Sequence, residues 1–145
     1  MESNLQLAGN VTIITPGGVK RYKNLVLNSG IEYVRDLLLG VRSDLINVVA
    51  VGDDDTPVGA GQVTLGNELF RKQITTEYDD GFKPVWETFF TAGEAVFTWK
   101  ELGLYAGADP AIADDGTLVA RVTVDEAKTA IITATVLWEF VITAT

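Results

Sequence analysis

The chain has 145 residues, 47% of them hydrophobic, and a formal net charge of −9. That length suits one domain whose core can fold without a metal or a disulfide. Cysteine and histidine are both absent, which removes thiol nucleophiles, cysteine zinc sites, the commonest general base and the Ser-His-Asp triad.

The charge is uneven. Residues 1–42 hold five basic side chains against three acidic ones, and residues 43–145 hold six against seventeen. An acidic chain is a poor match for nucleic acid, which wants a basic face. The basic first third suits an acidic surface, including that of a neighbouring copy. Met1–Asn10 is polar and lacks the basic flank and apolar run of a secretory leader, and no apolar window is long enough to predict a membrane span.

Residues 1–18 read as an extended N-terminal arm with one short β-prone run, Val11–Thr15. Its apolar side chains Leu5, Leu7, Val11, Ile13 and Ile14 are candidates for adding a strand to another chain. Pro16-Gly17-Gly18 is a hairpin signal, followed by a strand over Val19–Leu27. Ser29 and Glu32 have capping-box spacing, and Ile31, Val34, Leu37 and Leu38 fall on one helical face, so a helix is expected over Gly30–Leu39 with its leucines on a sheet. Gly40 stands where a left-handed cap is wanted.

Leu45–Val51 reads as a buried strand and Gly52–Gly61 as a loop. Thr64–Lys72 reads as a short helical turn with Leu65 and Leu69 inward, and Lys72–Tyr78 as one strand. Lys83–Thr91 and Ala95–Tyr105 predict a hairpin in which Trp86, Phe89 and Phe90 oppose Phe97 and Trp99. Thr117–Val124 alternates with Leu118, Ala120, Val122 and Val124 on one face. The clearest element is Ile131–Thr143, where Ile132, Ala134, Val136, Trp138, Phe140 and Ile142 share a face at period two. The expected fold is mainly β: a single domain over residues 19–145, an antiparallel sandwich or flattened barrel with one packed helix.

The aspartate clusters Asp53-Asp54-Asp55, Asp79-Asp80 and Asp114-Asp115 lack the alternation of a calcium loop and read as turn formers. Gly52–Gly61 does not end as a phosphate loop does. Glu87, Glu94, Glu101 and Glu139 could supply paired carboxylates, but no second signature supports a glycan hydrolase. More telling are charges inside apolar strands. Glu68 or Glu101 is expected to pair with Arg71 or Arg121, pinning loops to a sheet edge, because a buried charge without a partner costs several kcal/mol. No catalytic, metal or cofactor site is expected.

A set of motifs then carries a family resemblance. Asn24-Leu25-Val26-Leu27-Asn28-Ser29-Gly30 precedes the helix, and Val49-Ala50-Val51-Gly52 and Thr64-Leu65-Gly66-Asn67-Glu68 with Arg71 follow it. Phe97-Thr98-Trp99-Lys100-Glu101-Leu102-Gly103-Leu104-Tyr105, Gly116-Thr117-Leu118-Val119-Ala120-Arg121 and Thr135-Val136-Leu137-Trp138-Glu139-Phe140 complete the order. It resembles small virion structural proteins of tailed bacteriophages, although Gly52-Asp53-Asp54-Asp55 replaces their usual Gly-x-Gly turn. The resemblance implies a non-enzymatic protein of the virion, assembled in the host cytoplasm. Its partners would be copies of itself, as a trimer by analogy, and the major capsid protein or tail proteins. Capsid decoration is the first reading. A tail-fibre or minor tail protein holding host glycan through Trp86, Trp99 or Tyr105 is the alternative.

Overall fold

The computed structural model describes residues 2–145. Nine strands and one helix follow in the order β1 (Leu5–Thr15), β2 (Gly18–Val26), α1 (Asn28–Leu38), β3 (Ile46–Gly52), β4 (Glu68–Gln73), β5 (Thr76–Asp80), β6 (Lys83–Phe90), β7 (Thr98–Ala106), β8 (Thr117–Ala127) and β9 (Ala134–Ala144). They form one sheet, ordered β4-β3-β7-β8-β2-β1-β9-β6-β5, and every pairing is antiparallel. The sheet curls into a half-barrel. Strand β2 makes the corner: Gly18–Asn24 pairs with β1, while only Leu25 and Val26 pair with β8. This divides the sheet into a first layer, β2-β1-β9-β6-β5, and a second, β8-β7-β3-β4. The edge strands β4 and β5 are consecutive in the chain. Ile74 donates to the Asn47 carbonyl and Thr75 to the Glu87 carbonyl, which draws the two edges together.

Alternation sets the core. Val11 and Ile13 of β1, Val136 and Trp138 of β9, Phe90 of β6 and Leu102 and Leu104 of β7 are buried inside the curl. The layers meet through aromatics: Phe90 and Trp99 are edge-to-face at 5.0 Å, and Phe70 and Phe90 are tilted at 6.0 Å. The long period-two run near the C-terminus is β9, and its predicted inward residues from Ala134 to Phe140 are buried.

Several expectations are corrected. The supposed arm is the middle of the first layer. From Gly9 to Ile14, β1 is laddered to β2 on one side and to β9 on the other, so Val11, Ile13 and Ile14 have no free backbone edge to offer another chain, while Leu5 and Leu7 are laddered to β9 alone. Thr64–Lys72 forms no helix: Leu65 is buried under the loop, but Leu69 is half-exposed on β4. Lys72–Tyr78 is two strands, broken at Ile74–Thr75. Strands β6 and β7 are not a hairpin, since β6 pairs with β5 and β9 and β7 with β3 and β8. The chain crosses between layers at Thr91–Phe97, where Ala95 takes a left-handed φ of 51°.

The helix begins at Asn28 with Leu27 as its cap residue and no side-chain cap. Ser29 instead donates its hydroxyl hydrogen to the Leu118 carbonyl. Gly30 explains why: a Cβ there would lie 2.2 Å from the Val119 carbonyl oxygen, so the helix start lies directly on β8. That contact turns Gly30 and Tyr33 inward and leaves Ile31 and Leu38 at 58% and 80% exposure. The predicted apolar face is therefore largely turned to solvent. Gly40, at φ 70°, does close the helix, with Val41 donating to the Asp36 carbonyl.

Because β1 is an interior strand, removing residues 1–15 takes out a ladder on both sides. The truncated chain should lose its cooperative thermal transition, as read by circular dichroism. A sharp melt in the shortened chain would contradict this placement.

Candidate functional site

The charged residues singled out from sequence form two separate pairs on the outer face of the second layer. Glu101 of β7 and Arg121 of β8 are 3.0 Å apart with both side chains fully buried. Glu101 also accepts the backbone N–H groups of Asp54, Gly66 and Asn67, and Arg121 donates to the carbonyls of Asp54 and Thr56. The pair thus fastens the loop Asp53–Asn67 across the sheet. Gly52 makes this possible, since a Cβ there would lie 2.5 Å from a Glu101 carboxylate oxygen.

Glu68 and Arg71 make the second pair, with two parallel bonds of 2.8 Å. Arg71 donates onward to the carbonyls of Asp109 and Asp115, and its guanidinium lies 4.8 Å over the Tyr105 ring. This holds the loop Gly107–Gly116. Burial pushes the Tyr105 phenol well above its ordinary value, which keeps it a neutral structural group. The aspartates serve turns: Asp54 accepts from the Thr56 N–H, Asp109 from Ala111 and Asp115 from Asp109. Among the described residues no group of acidic side chains is gathered closely enough to hold a metal ion.

A third buried charge escaped the sequence reading. The Lys128 ammonium donates to the carbonyls of Thr91, Ala92 and Thr129, binding two loops at one end of the barrel. Burial lowers its pKa. Nothing in its local sequence separates it from an exposed lysine, because its acceptors come from a turn almost forty residues away.

All of these charged groups spend their hydrogen bonds inside the molecule. Between α1 and the inner face of the first layer, the mouth of the half-barrel forms a groove of about 1000 Å³. Ile31, Leu37 and Leu38 of the helix and Leu45 line one wall, and Leu5, Trp86, Phe140 and Ile142 the other; among the described residues Glu77 is its one charged side chain. Leu5, Leu38 and Leu45 are each at least 70% exposed. Barrel mouths of this size suit apolar contacts. Of the three aromatics considered for glycan stacking, Trp99 and Tyr105 are fully buried, and the Trp99 indole donates to the Ala95 carbonyl. Only Trp86 reaches the groove.

With the geometry in hand, comparison with known proteins adds no relative: no family model, curated protein or solved structure matches the chain.

Two measurements probe the charged framework. Arg121→Met leaves the Glu101 carboxylate buried without its cation and should cost about 3–5 kcal/mol in urea unfolding. A loss within the scatter of surface substitutions would mean that the pair does not hold the loop. The second concerns acid. Burial raises the Glu94 pKa, but its bonds from Lys72 and the Thr91 N–H outweigh this and leave it below the ordinary 4.5. A lowered folded value means stability that is fully present above pH 4.5 and is lost as pH falls through the folded value. Lys72→Met should therefore flatten the loss of stability below pH 4.5, measured as urea midpoints against pH.

Proposed function

We propose that this chain is a non-enzymatic structural protein of a tailed-phage particle, one that self-associates and binds the particle's outer surface, with capsid decoration as the leading role. The observation that carries the binding half of this reading is the exposed apolar mouth. Leu5, Ile31, Leu38 and Leu45 stand in solvent on a chain of net charge −9 in which the buried Glu101, Arg71 and Lys128 are committed to holding loops. Exposed apolar surface of this kind favours a protein partner. Many copies on a lattice make weak individual contacts sufficient. The virion assignment itself rests on the sequence resemblance.

The tail-protein alternative keeps one supporting observation, the half-buried Trp86 beside the groove. A glycan reader would bind through that ring alone, since the other two candidate aromatics are enclosed.

Mass spectrometry of purified particles of the encoding phage tests the assignment. Many copies co-purifying with the major capsid protein are expected; a few copies per particle would move the protein to the tail, and none would end the reading. Leu38→Asp combined with Leu5→Asp should abolish co-sedimentation of the protein with particles stripped of it. The melting temperature should stay within a few degrees, because both side chains are already in water. Undiminished particle binding by that variant would remove the groove from the interface.

A further inference from the structure

We propose that the bare outer face of the first layer is a two-fold self-association surface, on which Arg21 of each copy meets Glu87 of the other. The proposal builds on the self-association named above and does not depend on the virion.

The two layers are finished differently. The outer face of the second is roofed by the loops that Glu101–Arg121 and Glu68–Arg71 hold. The outer face of the first carries no such roof, and its side chains stand in cross-strand rows that the register defines. One row runs Val19, Ile14, Thr135, Phe89, and the next Arg21, Thr12, Leu137, Glu87. Directly opposed residues in antiparallel strands share a face. Val11, Ile13, Val136 and Trp138 point into the core, so their neighbours in these rows point out. Val19, Ile14 and Phe89 are 38–50% exposed, and Arg21 and Glu87 make no ion pair among the described residues.

Charge fixes the orientation. The β2 side of this face carries Arg21 and Lys23, and Glu139 and Glu87 lie toward the other side. A two-fold axis perpendicular to the strands would lay β2 over β2 and set like charges together. An axis along the strands, between β1 and β9, lays β2 of each copy over β6 of the other. Arg21 then falls on Glu87, Val19 on Phe89 and Thr12 on Leu137, each contact made twice. Four strands, each ~4.8 Å wide, and about seven residues at ~3.4 Å each give a patch on the order of 500 Å² per copy. The pair buries about 1,000 Å², enough for a specific but reversible dimer. This symmetry is a dimer's, in place of the trimer that analogy suggests.

Sedimentation equilibrium of the full chain tests it. The unaltered chain should be a reversible dimer. Arg21→Glu and Glu87→Arg should each raise the dimer dissociation constant at least about tenfold, and the double variant should recover it, because each reversed charge meets a reversed partner. Unchanged thermal melts of all three establish that they fold. If the unaltered chain associates but neither substitution matters, this face is wrong while self-association stands. A monomer at every concentration would overturn both, and a trimer would overturn the two-fold arrangement.

Discussion

The Glu101–Arg121 pair is the contact on which the rest of the molecule depends. Two opposite charges taken fully out of water are tolerable only when every remaining donor and acceptor is met. Here three backbone N–H groups converge on the carboxylate, and two loop carbonyls take guanidinium hydrogens. All of those groups belong to the loop Asp53–Asn67, a stretch with no ladder of its own. The pair therefore substitutes for secondary structure. It also dictates small residues around it: Gly52 clears space for the carboxylate, and Gly66 lets Asp54 approach.

Glu68–Arg71 repeats the arrangement for the loop Gly107–Gly116, and Lys128 does so for the turns at one end of the barrel. Each is a buried charge whose partners are mostly backbone. Their hydrogen bonds run to loop backbone of the same molecule. They make one layer thick and closed while the other stays one sheet deep. The resulting asymmetry leaves two open surfaces, the apolar mouth beside α1 and the charged, β-rich face of the first layer. The binding role proposed above uses surfaces of this kind.

Much of the fold was legible where a local rule and the tertiary environment agreed. The alternation of β9 survived because that strand has one face in the core. The Pro16-Gly17-Gly18 turn and the Gly40 cap follow from backbone dihedrals that few other residues adopt, with φ of 138° at Gly18 and 70° at Gly40. The members of both ion pairs could be named because charges in apolar strands must find partners, although which acid met which base could not be read. The failures share one cause. Strands β6 and β7 look like a hairpin because a short Gly-containing link joins two β-prone runs, yet each has better partners elsewhere. β1 looked like an arm because its β-prone run seemed short, and its laddering depends on β9, more than a hundred residues away.

The amino-acid order alone determined the class of fold, the strand-rich segments, the closing turns and the absence of thiol and imidazole chemistry, since these follow from side-chain type and short-range backbone preference. Tertiary structure decided which strands became neighbours and which became edges. It also turned the helix's leucines outward, because the close approach of Gly30 to β8 outweighed the helix's own apolar periodicity. Which apolar surface is buried is settled by competition among all the surfaces of the chain, and that comparison exists only once the chain has folded.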